Sequence, residues 1–132
     1  MNATVVTIAD VAAPPLVAGL APAQQVGALC WRRHRKSVQV LLITSRDTGR
    51  WVLPKGWPIP GKTPGQSAAQ EAWEEAGIEG QVAGHPLGSY QYAKWGSLCS
   101  VSVYPMQVSR VLPEEEWEER HRGREWVSPE TA

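Results

Sequence analysis

The sequence contains no phenylalanine, only two cysteines and no hydrophobic stretch that approaches the about 20 residues of a membrane-spanning helix. We therefore expect no membrane association. Seven tryptophans must supply much of the aromatic core that phenylalanine would otherwise provide. No basic segment precedes the apolar residues of the N-terminus, so a secretory signal is not expected and we predict a cytoplasmic protein.

The charge of the chain is balanced, with 13 basic and 13 acidic residues. A bulk affinity for nucleic acid or for an anionic membrane surface is therefore not expected. A chain of 132 residues suits one domain with a real core. Cys30 and Cys99 each lie in a strand-like run, and we interpret them as reduced, buried thiols rather than as a disulfide or a metal-binding pair.

The composition divides the chain into two parts. Residues 1–24 are rich in Ala, Pro and Val, and this density of proline predicts an extended or poorly ordered arm. Residues 25–132 are predicted to form the compact domain. Its apolar and β-branched runs predict strands over 26–31, 38–44, 51–53, 80–82, 87–93, 98–108 and 124–127. Several strands around one or two helices favour an α+β or α/β/α sandwich fold.

One helix is well indicated between Thr63 and Gly77. Thr63-Pro64 is typical of an N-cap followed by proline at the first helical position, and Gln66 stands where a capping box requires it. Gly77 is expected to end the helix, and Ile78 can pack back after the turn. The helix boundaries are therefore predicted at both ends.

Three glutamates, Glu71, Glu74 and Glu75, share one narrow arc of this helix. Glu74 lies about 60° to one side of Glu71 and Glu75 about 40° to the other. Like charges at this spacing repel one another, so a divalent cation between them is one explanation, and Mg²⁺ prefers such oxygen ligands. The other explanation is a solvated acidic face, which is what most charge clusters are.

The segment from Gly56 to Ile78 resembles the Nudix box of the Nudix hydrolases, a strand-loop-helix-loop that binds divalent metal and cleaves diphosphate linkages. Counting from Gly56, the box has five residues, Lys62, seven residues, Gln70-Glu71, and then Ala-Trp-Glu-Glu-Ala-Gly-Ile. The family pattern has Glu where Lys62 stands and Arg where Gln70 stands. In the family that arginine helps to hold the metal-binding glutamates, whereas Gln70 can only hydrogen-bond Glu74.

The resemblance implies a Nudix-type α/β/α sandwich with a mixed β-sheet, and it implies a Mg²⁺ site, with Mn²⁺ as the alternative ion. The implied ligands are Glu71, Glu74 and Glu75, with a main-chain carbonyl at Lys55 or Gly56. For attack of water on phosphorus, Glu74 is the first choice of general base and Glu71 the second. A further glutamate often comes from the loop before the last strand, and the sequence does not choose among Glu115, Glu116, Glu118 and Glu119.

Runs such as residues 29–32, 41–46 and 50–54 look like the diphosphoinositol polyphosphate phosphohydrolase branch of the family. Basic residues matching Arg32, Arg46 and Arg122 or Arg124 contact substrate phosphates in that branch. Arginine suits such contacts because it forms bidentate bonds to phosphate, although these residues could also sit on solvated turns. Lys62 either contacts phosphate or points to solvent.

The implied function is hydrolysis of a diphosphate linkage in a polyphosphorylated small molecule, such as a diphosphoinositol polyphosphate or a dinucleoside polyphosphate. The alternative is a catalytically weak Nudix-fold binding or regulatory module. Ser128-Pro129-Glu130 is typical of a helix start, yet few residues follow it, so the family's final helix is expected to be truncated. An apolar face would then be open to the N-terminal arm or to a second subunit in a homodimer.

Overall fold

The computed structural model describes residues 23–46, 48–94 and 96–131. The expected order of the N-terminal arm therefore lies largely outside the described residues, although Ala23 and Gln24 already belong to the first strand. The eight strands and one α-helix, in chain order, are β1 (Ala23–His34), β2 (Ser37–Thr44), β3 (Trp51–Val52), β4 (Lys55–Gly56), α1 (Pro64–Ala76), β5 (Ile78–Val82), β6 (Gly88–Lys94), β7 (Ser97–Val111) and β8 (Arg124–Val127).

The strands form one mixed sheet with the order β3-β2-β1-β7-β5. β1 and β7 pair in parallel over nine residues, and the remaining pairs are antiparallel. Three strands lie off this path: β4 pairs with β1, β6 with β7 and β8 with β2. The pairing of Val26 with Gly56 fixes β4 beside the first half of β1, and this position decides where the acidic residues of α1 meet the sheet.

The sequence signals at both ends of α1 are confirmed. Thr63 is the N-cap: its side chain accepts a bond from the backbone N–H of Gln66, and its own backbone N–H donates to Oε1 of Gln66. Gly77 adopts a left-handed conformation with φ of 64°, and its N–H bonds the carbonyl oxygen of Trp73. Glycine suits this position because it has no Cβ that would strain a left-handed backbone conformation.

Small residues let α1 lie close to the sheet. Ala68, Ala72 and Ala76 are fully buried against apolar side chains of the central strands. The core cluster is completed by Val26, Ala28, Cys30, Leu41, Ile43, Ile78, Tyr104 and Met106. Both cysteines are buried and free, as expected, and burial raises the pKa of the Cys30 thiol.

The expectation of a tryptophan-rich core was wrong for most of the described tryptophans. Trp117 is buried, with 4% exposed, whereas Trp57 is 57% exposed. Trp31, Trp51, Trp73 and Trp126 are only partly buried. The close approach of α1 to the sheet leaves room for alanine and aliphatic side chains rather than for indole rings.

The α+β class and the mixed sheet are confirmed, with α1 as the α-helix of the described residues. A second helical layer of an α/β/α sandwich is not found within residues 23–46, 48–94 and 96–131. Where a final helix was expected to start, Ser128 and Thr131 close a single turn. No helix in the described part of the chain is long and apolar enough to cross a membrane.

The sheet face opposite α1 carries Val40, Leu42, Val101 and Val103, because side chains alternate along each strand. Each of these four side chains is at most 4% exposed. The expected apolar face, which the N-terminal arm or a second subunit would cover, stays a prediction because the arm lies outside the described residues. The homodimer stays a prediction as well.

Candidate active site

The acidic side of α1 faces β4. The backbone N–H of Lys55 donates to Oε1 of Glu75 at 3.2 Å. Gly56 lies so close to Glu71 that a Cβ built on it would stand 2.2 Å from the Glu71 carboxyl carbon. Only glycine leaves space for the carboxylate here, so the Lys55–Gly56 backbone forms one wall of the acidic site.

Glu71 and Glu75 form a hydrogen-bonded carboxyl pair. Burial is the largest of several causes that together raise the pKa of Glu71 to about 8; the others are the hydrogen bond to Glu75 and the charges of Glu75, Glu74 and Glu119. Burial also raises the pKa of Glu75, while its bonds to Glu71 and to the Lys55 N–H and the charge of Arg122 lower it. Burial and mutual contact therefore both disfavour two negative charges on this pair.

Glu74 is held by its neighbour one turn earlier. The side-chain amide of Gln70 donates to Oε2 of Glu74 at 3.0 Å, which confirms the predicted bond between these two residues. Glutamine can thus orient this carboxylate although it supplies no charge.

Glu119 approaches this cluster from the loop before β8. Its backbone N–H donates to the carbonyl oxygen of Glu74 at 3.2 Å, and its charge raises the pKa of both Glu71 and Glu75. Glu114–Glu116 instead form a short, exposed 3-10 helix, as expected for a solvated acidic turn. These contacts therefore favour Glu119 as the loop carboxylate that completes the site. The sequence alone did not distinguish it from the other glutamates of the loop.

The acidic cluster offers the type of ligand that a divalent cation binds, although its side chains are not arranged as a complete metal site. Within the described ranges, no three His, Cys, Asp or Glu side chains are arranged as a ready-made metal site. Burial and the neighbouring carboxylates both raise the pKa of Glu71, and a bound cation would offset the negative charge that they disfavour. Carboxylate oxygens are also a kind of ligand that Mg²⁺ takes, usually one or two of them together with water and substrate phosphates. The carbonyls of Lys55 and Gly56 stay a prediction as ligands.

The structure separates the predicted phosphate-contacting residues into two groups. Lys62 and Arg46 are exposed, and Lys62 lines a shallow groove on the flank of α1 together with Gln70 and Trp73. Arg32 bonds Oε1 of Gln39 at 3.0 Å and stacks over the Trp126 ring at 3.9 Å. Contact of these three cations with substrate stays a prediction.

Arg122 and Arg124 are engaged within the protein. Arg124 donates to the carbonyl oxygens of Ala76, Gly77 and Leu112 at 2.9, 3.2 and 2.7 Å, and it stacks on the Trp117 ring at 4.3 Å. It thus covers the C-terminal end of α1, where a cation is favoured. Arg122 bonds Glu119 and the carbonyl oxygen of Thr44. The predicted contact of Arg122 and Arg124 with substrate is untested, and their bonds within the protein favour a structural role for both.

Two tyrosines of β6 lie near the site and were missed in the sequence. The charge of Glu75 raises the pKa of both Tyr90 and Tyr92, although burial is the larger cause. Nζ of Lys55 lies 5.1 Å from the Tyr92 ring centroid, and the Tyr92 hydroxyl bonds Gln25. The alternating residue pattern of 88–94 predicts a strand, but it does not show that this strand lies near Glu75. Only the fold therefore identifies the two tyrosines as neighbours of the site.

The comparisons with known proteins agree with this geometry. A family model described as NUDIX domain matches residues 22–132. A crystal structure of an Ap4A hydrolase from C. elegans has a TM-score of 0.67 at 20% identity, covering 83% of each chain. A binary complex of a C. elegans Ap4A hydrolase has a TM-score of 0.64 at 23% identity, covering 82% of this chain and 81% of that one.

A NUDIX hydrolase from Nitrosomonas europaea has a TM-score of 0.61 at 21% identity, covering 83% of this chain and 74% of that one. At these identities the likeness shows the fold alone. No curated protein matches the chain in sequence. The family match spans the whole described region and includes the acidic helix, its capping residues and the β4 wall. The chain therefore belongs to the NUDIX domain family, the Nudix pyrophosphohydrolases.

Proposed function

We propose that the protein is a Mg²⁺-dependent hydrolase that cleaves a phosphoanhydride linkage in a polyphosphorylated small molecule. The observation that carries this proposal is the packing of Glu71 and Glu75 against the Lys55–Gly56 backbone, which holds the two carboxyl groups together in a partly buried position. Two carboxyl groups held so closely are suited to bind a hard cation, which would offset their charges.

Glu71 and Glu75 would hold the metal, with Glu74 and Glu119 as further oxygen donors. When bound, Mg²⁺ or Mn²⁺ would neutralise charge on the substrate phosphates and favour ionisation of a bound water. The chain itself sets the positions of the carboxylates. The Lys55 N–H fixes Glu75, Gln70 fixes Glu74, and the missing side chain at Gly56 leaves room for Glu71.

Glu74 is the proposed general base, with Glu71 as the second choice. Gln70 donates to one oxygen of Glu74, Oε2, and this bond leaves Oε1 for a proton taken from the attacking water. Cleavage then breaks the bridging P–O bond, and the leaving phosphate departs with the electron pair. The exposed cations Arg46 and Lys62 are the proposed contacts for distal phosphates.

Two substrate classes fit this proposal. Dinucleoside polyphosphates are supported by the structural likeness to the Ap4A hydrolases, and the tyrosines of β6 could pack against a base. Diphosphoinositol polyphosphates are supported by the resemblance of residues 29–54 to that branch of the family and would need more cations. Arg122 and Arg124 are bound within the protein, so fewer arginines remain for such a substrate. We therefore favour the dinucleoside class.

The test is release of phosphate or nucleotide from a panel of both substrate classes in the presence of Mg²⁺. Wild type is compared with Glu74→Gln and Glu75→Gln, which keep side-chain shape and remove charge. We expect each variant to lose at least about 100-fold in kcat/KM, since each removes a metal ligand or the base. Equal rates for wild type and both variants on every compound would refute the enzymatic function.

The alternative, a catalytically weak Nudix-fold binding module, is favoured by one observation. Within the described residues the acidic side chains are not arranged as a finished metal site. Under this alternative the protein would bind a polyphosphate compound without turning it over. Calorimetric binding of a substrate that stays intact after prolonged incubation with Mg²⁺ would support it.

A further inference from the structure

The acidic site holds an unusual excess of negative charge. Burial is the largest cause of the raised pKa of Glu71, and the charges of Glu75, Glu74 and Glu119 raise it as well. Gln70 orients Glu74 but brings no positive charge to offset these carboxylates. Arg122 forms an ion pair with Glu119 of this cluster at 2.8 Å, and its charge also lowers the pKa of Glu75.

Arg122 is fixed from several directions. Its side chain is 8% exposed, its Nε donates to Oε1 of Glu119 at 2.8 Å, and its Nη1 donates to the carbonyl oxygen of Thr44 at 2.9 Å. The backbone around it is held as well, because Thr44 and Gly123 exchange bonds of 3.0 and 2.8 Å. The loop that carries Arg122 is therefore fastened to the end of β2.

The same loop is fastened to α1. The N–H of Glu119 bonds the Glu74 carbonyl oxygen, and the indole N–H of Trp117 bonds the Glu75 carbonyl oxygen at 3.0 Å. The loop thus links β2, through Arg122, to the helix turn that bears two of the carboxylates, through Glu119 and Trp117. A buried guanidinium whose Nε and Nη1 are bonded within the protein is poorly placed to reach a substrate phosphate, and it is well placed to hold Glu119.

We propose that Arg122 is a positioning residue of the active site: from the loop before β8 it supplies the positive charge and the rigid link that Gln70 cannot supply from α1. It acts on Glu119 by direct hydrogen bonding and on Glu75 through its charge. This inference rests on the proposed function, because positioning matters only if these carboxylates hold metal.

The experiment compares Arg122→Gln, Arg122→Lys and Arg120→Gln. Arg120 is an exposed residue of the same loop and serves as the matched control. Two quantities are measured: the Mg²⁺ dissociation constant of the substrate-free protein by titration calorimetry, and kcat and KM on the best substrate. We expect Arg122→Gln to weaken Mg²⁺ binding and to lower kcat, each by about 10-fold or more, with KM changed less than two-fold.

A second arm asks whether charge from α1 can replace the missing charge. Gln70→Arg is introduced into wild type and into Arg122→Gln. We expect it to restore at least about three-fold of the lost Mg²⁺ affinity in the Arg122→Gln background, and the change that it causes in wild type is measured beside it as the reference. Arg122→Lys, which keeps the charge, should stay closer to wild type than Arg122→Gln.

Several outcomes would overturn the inference. A raised KM with unchanged kcat and Mg²⁺ affinity would make Arg122 a substrate contact. If Arg122→Lys and Arg122→Gln lower Mg²⁺ affinity and kcat equally, or if Gln70→Arg restores no Mg²⁺ affinity, the charge of Arg122 has no role in the site. If Arg122→Gln fails to fold, the comparison of Arg122→Lys with Arg120→Gln decides the matter alone. If wild type is inactive on every compound, the proposed function fails, while the Mg²⁺ dissociation constants still test Arg122.

Discussion

Replacing Gly56 by alanine should separate the function of the acidic site from the stability of the fold. The added Cβ would stand 2.2 Å from the carboxyl carbon of Glu71 and 2.5 Å from both of its oxygens. Carbon atoms in contact normally stay about 3.5–4.0 Å apart, so the carboxylate must retreat by more than about 1 Å. Metal ligands tolerate displacements of only about 0.2 Å, and a misplacement of about 1 Å can cost roughly 100-fold in rate.

The cost of Gly56→Ala to stability should be small. The obstructing group is the end of a flexible side chain, and moving it off its preferred rotamer costs about 0.5–1.5 kcal/mol. Alanine also restricts the unfolded chain, which returns about 0.4–1 kcal/mol. The two effects nearly cancel, so we expect the free energy of unfolding to change by less than about 1 kcal/mol.

The assay pairs urea unfolding with kcat/KM, and Gly84→Ala is the control because nothing lies within 4 Å of its Cβ position. We expect Gly56→Ala to lose about 100-fold in kcat/KM at near wild-type stability, whereas Gly84→Ala should lose little of either. Full activity in Gly56→Ala would show that the position of Glu71 is unimportant. Loss of activity only through unfolding would show that Gly56 serves the fold instead.

Three further predictions concern charge and capping. Arg124→Met removes two bonds to carbonyl oxygens at the end of α1 and one to the Leu112 carbonyl oxygen, and it should cost about 3 kcal/mol, or roughly 10 °C in melting temperature by calorimetry. Arg120→Met should be nearly neutral. The pKa of Glu71 is raised from 4.5 to about 8, so its contribution to the stability of the metal-free protein is present below pH 4.5 and is lost as the pH rises through 8. Urea unfolding in chelator at pH 5.5, 7 and 8.5 should show this decline, on the order of 1 kcal/mol after solvent screening, and Glu71→Gln should flatten it. Thr63→Ala breaks the capping box of α1 and should cost about 1 kcal/mol in the same unfolding assay; a cost below about 0.3 kcal/mol would contradict the capping assignment.

The parts of the site that depend on local sequence were predictable. Thr63, Gln66 and Gly77 interact with backbone within a few residues, so their spacing alone predicted the ends of α1. The bond from Gln70 to Glu74 was predictable for the same reason, because residues one turn apart face each other on a helix.

The parts that depend on distant contacts were not predictable. β4 is two residues long and has no strand pattern of its own, so only its pairing with β1 reveals it as a wall of the site. Glu119 and Arg122 carry no local signal that distinguishes them from the other charged residues around them. Their contacts with Glu74 and Thr44 arise from the path of the chain after β7.

The parallel pairing of β1 with β7 has a consequence for biosynthesis. Ala23 pairs with Cys99, so β1 can pair with β2 and β4 early but lacks its parallel partner β7 until a further 76 residues have been translated. Contacts between residues so far apart in sequence form more slowly than local ones. β4, which borders Glu71, depends on β1 for its position, so we expect this wall of the acidic site to become rigid only after β7 has been made.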